Sequence, residues 1–168
     1  MSADLSDLDA VQSRRFMLRF DLPVQDLAKY SEEQIKAIFE ATCTPKNDEG
    51  SYRWNGWGQL ELGGRSGRYH IQAYIETASA APLRAGTIVR AVRAVTDTED
   101  KTVSVHISKA RKKAENCIGY VTKEKTRIWG PWSNVPRADW PVADDNGGHA
   151  KRDDLYSAVM DDGLSVGE

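Results

Sequence analysis

The strictest alternation of hydrophobic and polar residues in the chain runs from position 69 to position 76. This period of two predicts a β-strand with an apolar side facing a core and a polar side that carries His70 and Gln72. Because these residues are two positions apart, their side chains project into the same space. The pair is a candidate ligand set, although a His-x-Gln pair on a strand is more commonly a solvated or hydrogen-bonded face.

A shorter alternating run ends at Leu62, and the six residues between the two runs are typical of a turn. The sequence therefore predicts a β-hairpin. A symmetric loop pairs Leu62 with Tyr69 and places Glu61 opposite His70, with about 5 Å between their Cβ atoms. Glu61, His70 and Gln72 then share one face. A carboxylate, an imidazole and an amide oxygen suit a hard or borderline divalent ion such as Mg²⁺ or Mn²⁺, and no thiolate is present to favour zinc.

Patterning in the rest of the chain predicts six further elements. In chain order they are a strand from Phe16 to Phe20, a helix behind the capping box Ser31-Glu32-Glu33-Gln34, a helix with Pro82 in its first turn and Ile88, Val92 and Val95 on its apolar side, a strand from Thr102 to Ile107, a helix over 109–125, and a strand from Arg127 to Trp132. With the hairpin, this order predicts an α+β fold. We expect a central antiparallel sheet of about five strands, helices against one face, and the other face free for a site.

Tyr120 falls outside the apolar stripe of the predicted helix over 109–125. At about 100° per residue it lies on the polar side, beside Lys113, Asn116 and Lys123. Core packing explains this position poorly. An ordinary half-exposed tyrosine has equal weight as an interpretation.

Length and composition indicate one globular domain with tails. The chain has 168 residues, of which 40% are hydrophobic, enough for one core. We expect a flexible leader over 1–13, a domain over 14–142 and a linker segment over 143–168. The chain has no apolar run of membrane-span length and no signal-peptide pattern. Cys43 and Cys117 lack metal or redox spacing, so free thiols in a reducing compartment are expected.

Charge is distributed unevenly along the chain. The net charge of −2 disfavours a nucleic-acid binder, but 65–127 carries 13 basic and 6 acidic residues. A basic middle between acidic ends fits a phosphate-facing patch. The tryptophans at 54, 57, 129, 132 and 140 could stack on bases, although tryptophans more commonly cover core edges.

Three segments together resemble a known family. Phe16-Met17-Leu18-Arg19-Phe20, His70-Ile71-Gln72 and Tyr120-Val121-Thr122-Lys123 resemble, in order, the three motifs of the HUH-type endonuclease domain of rolling-circle replication initiators (Rep). The resemblance is closest to circular single-stranded DNA viruses of the circovirus, nanovirus and genomovirus kind, and to related plasmids. It covers about residues 14 to 135.

The resemblance implies both a fold and a chemistry. The fold would be ferredoxin- or RRM-like, with a metal site for Mn²⁺ or Mg²⁺ at Glu61, His70 and Gln72. Tyr120 would be the nucleophile and Lys123 its helper, and the substrate would be single-stranded DNA at an origin stem-loop. Attack would leave a covalent 5′-phosphotyrosine, which the same site rejoins as a nucleotidyltransferase. The domain would initiate and terminate rolling-circle replication.

Two positions depart from the family pattern. Gln72 replaces the second histidine, a variant similar to circovirus-like members, which favours looser metal binding. Arg19 stands where many members have threonine, so origin contacts of relatives do not transfer to it. Two alternatives remain open. One is a non-catalytic ferredoxin- or RRM-like nucleic-acid-binding module, and the other is a metallonuclease with water as nucleophile.

The end of the chain gives a further expectation. Lys151-Arg152-Asp153-Asp154-Leu155 begins a short helical pattern and resembles the segment that leads towards a superfamily 3 helicase domain in viral Reps. We therefore expect a nuclease-domain piece of a longer protein, with a loosely packed tail from about 143 and no ATP loop. The family places such a protein inside the cell, in the host nucleus for a eukaryotic virus, with no membrane or small-molecule partner.

Overall fold

The computed structural model describes residues 5–98, 101–142 and 164–166, the last three as backbone only. The helices are α1 (Leu5–Asp9), α2 (Glu32–Cys43), α3 (Ala85–Thr96) and α4 (Ala114–Val121). The strands are β1 (Gln12–Ser13), β2 (Arg15–Asp21), β3 (Asn55–Leu62), β4 (Tyr69–Glu76), β5 (Leu83–Arg84), β6 (Val105–Lys109), β7 (Arg127–Ser133) and β8 (Leu164–Val166). The predicted α+β class is confirmed. Within the described ranges, no helix is long and apolar enough to cross a membrane.

The main sheet is antiparallel throughout. Its strand order is β7-β3-β4-β2-β6-β8, and β1 and β5 form a separate small ribbon. All five predicted strands are present in it. The sequence did not predict β8, which pairs with the edge of β6. The expected linker and short helix at 143–163 lie outside the described residues.

One face of the sheet forms the main core. Apolar side chains of β2 and β4 are fully buried there under α2 and α3, among them Phe16, Leu18, Phe20, Ile71 and Ile75. Ile71 and Ile75 are apolar positions that the alternation over 69–76 predicts. Each such side chain contributes about 1.5–3 kcal/mol of stabilisation by burial, so this face fixes the register of the central strands.

The capping box that begins α2 is confirmed. Ser31 Oγ accepts from the Gln34 backbone N–H at 3.2 Å, and Gln34 Oε1 accepts from the Ser31 N–H at 2.8 Å. Ile35 and Phe39 then face the core one turn apart. The cap therefore starts the helix at the position that buries these two residues.

The start of α3 differs from the prediction. Pro82 lies before the helix, because the chain first forms β5 and the helix begins at Ala85. Val89 is buried on the apolar side together with Ile88 and Val92, whereas Val95 is 39% exposed. The predicted apolar side of this helix was therefore wrong at Val95.

The predicted helix over 109–125 is shorter in the structure. Strand β6 extends to Lys109, and α4 begins only at Ala114. The intervening chain is held to β2, where the Ala110 N–H donates to the Arg15 carbonyl at 3.0 Å and Arg15 Nη1 donates to the Lys112 carbonyl at 2.6 Å. These long-range bonds take the place of the first predicted helical turns.

The second face of the sheet is only partly open. Helix α4 packs on one end of it and forms a second buried cluster, which contains Met17, Trp57, Tyr74, Cys117, Ile118, Tyr120 and Val121. The expectation that all helices lie on one face is therefore wrong. This apolar cluster borders the polar end of the same face, which carries the candidate site.

Candidate active site

The hairpin brings two predicted metal ligands together. Leu62 pairs with Tyr69 and Glu61 with His70, as the symmetric loop predicts. His70 Nε2 lies 3.5 Å from Glu61 Oε1. Both residues are buried, with exposed fractions of 7% and 3%. The carboxylate and the imidazole therefore converge in a space largely shielded from solvent.

Gln72 lies one pair further along the same face. It sits opposite Gln59 on β3 and Arg19 on β2, and it is almost completely buried. Its Nε2 is 3.5 Å from the Leu18 carbonyl, a long contact for a hydrogen bond. Gln72 therefore keeps its predicted face beside the Glu61–His70 pair.

Lys123 lies between the predicted metal-ligand pair and the tyrosine. Its Nζ lies 3.2 and 3.1 Å from the two carboxylate oxygens of Glu61. The same Nζ lies 3.7 Å from the centroid of the Tyr120 ring. Lys123 is itself only 7% exposed. The structure thus places the predicted helper lysine between the predicted nucleophile and the predicted carboxylate ligand.

Gln59 is a site residue that the sequence analysis missed. Its Nε2 donates to Glu61 Oε2 at 2.7 Å and to the Lys123 carbonyl at 2.7 Å. Its Oε1 is buried without a hydrogen-bond partner. The signal was present, because Gln59 is two positions from Glu61 and so shares its strand face. Gly130 of β7 lies against it, and a Cβ there would be 3.0 Å from Gln59 Cβ.

The surroundings of Glu61 keep its carboxylate ionised. Burial alone would raise its pKa, but the neighbouring His70, the Lys123 ammonium and the Gln59 amide outweigh burial and lower the pKa below the ordinary 4.5. A buried charge is tolerated when it is paired and hydrogen-bonded in this way. At neutral pH the site therefore contains a ready anionic ligand.

Tyr120 is more buried than the helical projection predicts. It is 6% exposed and packs in the apolar cluster with Met17, Trp57 and Tyr74. A projection of the helix alone does not include the packing of α4 on the sheet. That packing buries the side of the helix that carries Tyr120. The ring is therefore held in place by the cluster, with Lys123 against its face.

The polar row continues across the sheet towards β6. Arg19 lies between Gln72 and His106 in the strand register. Both Arg19 and His106 are half-buried. Burial and then the Arg19 charge lower the pKa of His106, so it is neutral at pH 7. Arg19 thus provides a cation on the site face, next to a predicted ligand.

Tryptophans and basic residues differ in their availability to a ligand. Trp54 and Trp57 are buried, and the three later tryptophans are half-buried. Trp129 and Trp132 pack on the main core, in line with the interpretation that they cover its edges. In contrast, four basic residues at the end of β6 and in the connection to α4 are all exposed, namely Lys109, Arg111, Lys112 and Lys113. We call these four residues the basic segment.

The donor atoms fit a hard divalent cation. Adjacent ligands around Mg²⁺ lie about 3 Å apart, since each bond is about 2.1 Å, and the Glu61 and His70 atoms are 3.5 Å apart. The unpartnered Gln59 Oε1 and the Gln72 amide offer further oxygens nearby. No group of three or more His, Cys, Asp or Glu side chains occurs among the described residues, so the ligand set depends on these amides.

Comparisons with known proteins give no assignment. No protein-family model matches the chain, and no curated protein matches it. Any functional conclusion therefore depends on the site geometry and on the three sequence motifs.

Proposed function

We propose that this chain is a metal-dependent endonuclease domain that nicks single-stranded DNA at a replication-origin stem-loop through a covalent link to Tyr120. The same site would rejoin ends as a nucleotidyltransferase and so initiate and terminate rolling-circle replication. The single observation that supports this best is the position of Lys123 Nζ, within 3.2 Å of both Glu61 oxygens and 3.7 Å from the Tyr120 ring centroid. Through these contacts, Lys123 connects the proposed metal ligand Glu61 with the proposed nucleophile Tyr120.

The chemistry needs an activated phenol. A tyrosine hydroxyl has an ordinary pKa of about 10 and is a weak nucleophile at neutral pH. A cation beside the ring favours the phenolate, and Lys123 is placed to supply one. The Tyr120 oxygen attacks phosphorus, the bond from phosphorus to the 3′ oxygen breaks, and that oxygen takes a proton to become a 3′-OH. The 5′ phosphate stays on Tyr120, and the reverse reaction rejoins the strand.

Glu61 and His70 would hold the divalent ion, with amide oxygens from Gln72 and Gln59. When bound, the ion neutralises phosphate charge and stabilises the charge that develops in the transition state. Gln59 orients the Glu61 carboxylate through its 2.7 Å hydrogen bond. The buried surroundings of Glu61 strengthen these electrostatic contacts relative to water.

The substrate class follows from charge and shape. The exposed basic segment lies just before α4, and Arg19 extends the polar row on the site face. Such cations attract a phosphate backbone. A single strand also has free torsions that let a phosphate reach the half-covered sheet face. The family resemblance adds the origin stem-loop, a helicase domain elsewhere in the full-length protein, and action inside the cell, in the nucleus of a eukaryotic host.

A denaturing gel tests the proposal directly. We would incubate the protein and Mn²⁺ with a pool of stem-loop oligonucleotides that have randomised loops and separate labels at the 5′ and 3′ ends. A 5′-phosphotyrosine link predicts that the 3′ label migrates with the protein while the 5′-labelled fragment is released. Tyr120→Phe should abolish both products, and Tyr52→Phe, an exposed tyrosine, should abolish neither.

The same gel separates the alternatives. Cleavage without a protein-linked label would indicate water as the nucleophile. Retention of DNA in a native gel, without cleavage in any divalent metal, would indicate a binding module. An undiminished adduct with Tyr120→Phe would reject the assigned nucleophile.

A further inference from the structure

Lys123 occupies the same carboxylate that the proposed metal ion needs. Its ammonium contacts both oxygens of Glu61, at 3.1 and 3.2 Å, and both side chains are buried. Lys123 therefore contacts both the Glu61 oxygen that faces His70 and the Glu61 oxygen that accepts from Gln59. A second cation at Glu61 would therefore have to share an oxygen with the ammonium.

The ammonium and a divalent ion would compete for the same carboxylate. A bound Mg²⁺ or Mn²⁺ would lie about 2.1 Å from a Glu61 oxygen. Since Lys123 Nζ lies 3.1 and 3.2 Å from the two Glu61 oxygens, an ion bound to either oxygen would lie within roughly 5 Å of the ammonium. Like charges in a site shielded from water repel strongly. Binding of one cation therefore weakens binding of the other.

Only the Lys123 side chain has to move. Its backbone carbonyl accepts from Gln59 Nε2 at 2.7 Å, and its backbone N–H donates to the Tyr120 carbonyl at 3.4 Å. Four methylene groups separate this fixed backbone from the ammonium. Rotation about those bonds moves the charge away from Glu61 while Nζ stays beside the Tyr120 ring, which it already contacts.

We propose that Lys123 is a built-in competitor for the metal site. Its ammonium is shared between Glu61 and the Tyr120 ring when no divalent ion is bound, and binding of the ion frees it from Glu61. This inference rests on the proposed metal-dependent function and adds its regulation. Metal binding would then leave the ammonium to Tyr120 alone. Lys123 thereby acts as a positioning residue for both Glu61 and Tyr120.

Calorimetry with Mn²⁺ on metal-stripped protein at pH 8 tests the competition. Lys123→Met removes the competing charge but keeps much of the side-chain volume, so Mn²⁺ should bind roughly tenfold tighter or more. Lys123→Arg keeps the charge and should not tighten binding. Lys125→Met, at an exposed position two residues on, should match wild type. A purely structural ion pair predicts equal or weaker binding by Lys123→Met, which would overturn the proposal.

A second measurement needs no variant of Lys123. In wild type, an amine-acylating reagent followed by peptide mass spectrometry should label Lys123 slowly without metal and several-fold faster with saturating Mg²⁺. Lys125 labelling should stay constant. Glu61→Ala, which removes the shared carboxylate, should abolish the metal dependence. Unchanged Lys123 labelling in a protein that calorimetry shows to bind Mg²⁺ would overturn the exchange.

The outcomes also separate this inference from the proposed function. A Tyr120 adduct with equal Mn²⁺ affinity in wild type and Lys123→Met rejects the competition alone. Absence of divalent binding in both proteins rejects the competition and the metal site together. Tighter binding by Lys123→Met without any Tyr120 adduct in wild type supports the competition and rejects the nicking chemistry.

Discussion

The Gln59 side-chain amide donates to the main-chain carbonyl of Lys123 at 2.7 Å. This bond links the central hairpin to the end of the helix that carries Tyr120. The same amide nitrogen donates to Glu61 at 2.7 Å. One buried side chain therefore sets the distance between the proposed metal ligand and the segment that follows the proposed nucleophile.

Gln59→Met should weaken both stability and activity. The substitution removes both hydrogen bonds and leaves a buried carbonyl and a carboxylate with one partner fewer, which costs about 1–3 kcal/mol. Urea unfolding should show this loss, and adduct formation should fall. Gln12→Met, at an exposed strand position, should change neither. Full activity at lowered stability would show that Gln59 has only a structural role.

His70 should be essential for metal binding but not for folding. His70→Ala should reduce Mn²⁺ affinity by roughly tenfold or more and abolish adduct formation, because Glu61 then lacks its imidazole partner. Gln72→His should bind Mn²⁺ as tightly as wild type or tighter, since imidazole is the stronger ligand. Calorimetry would measure the Mn²⁺ affinity of each variant, and a denaturing gel would measure adduct formation.

His106→Ala is the matched control for this prediction. His106 lies on the same sheet face, across Arg19 from Gln72, but outside the proposed ligand set. Its removal should leave Mn²⁺ affinity unchanged. Equal loss in His70→Ala and His106→Ala would place the metal elsewhere.

The sequence predicted most of the hairpin half of this site. Alternation and turn residues together fix register, because a slip of one residue would move every side chain to the opposite face. This is why Glu61 lies opposite His70 as expected. Gln59 follows the same rule and shares the face of Glu61, but its bond to the Lys123 carbonyl depends on tertiary packing that the local pattern does not reveal.

The helical half of the site was harder to predict. The burial of Tyr120 and the contact of Lys123 with Glu61 depend on how α4 docks on the sheet. Helical periodicity does not determine that docking. The late start of α4 depends similarly on two hydrogen bonds with Arg15, which is far away in the chain and donates one and accepts the other. Local pattern therefore predicted which candidate ligands share a face, and tertiary packing determined how they lie relative to the tyrosine.

The lowered pKa of Glu61 predicts a stability difference that depends on pH. A carboxylate whose folded-state pKa is depressed stabilises the fold above its ordinary pKa of 4.5, and this contribution disappears as pH falls through the lowered value. In metal-free buffer, Glu61→Gln should therefore be less stable than wild type at pH 7, by up to about 3–5 kcal/mol. Unfolding at several pH values should show the gap closing in acid.

The matched control for the pH series is Glu49→Gln, at an exposed turn position. It should show no comparable gap at pH 7. A gap between wild type and Glu61→Gln that stays constant from pH 7 to below the lowered pKa would contradict the assigned charge state. It would then reflect packing, which does not titrate.

The basic segment should determine how DNA affinity depends on salt. Each phosphate contact on single-stranded DNA contributes a slope of about −0.7 in log affinity against log salt. Replacing Lys109, Arg111 and Lys112 by alanine should therefore flatten the slope by roughly 2 if all three contact phosphates. Binding of a fixed single-stranded oligonucleotide would be measured on a Tyr120→Phe background, which prevents cleavage.

The control removes the same charge from another region. Lys29, Lys36 and Lys46 are exposed around α2, on the side of the sheet away from the site. Their triple alanine variant should keep the wild-type slope, because the single-stranded DNA is expected to follow the sheet face that carries Glu61 and Arg19. If both variants flatten the slope equally, net charge alone governs attraction. If only the control does so, the DNA crosses the helical face, and the proposed substrate path over the basic segment is wrong.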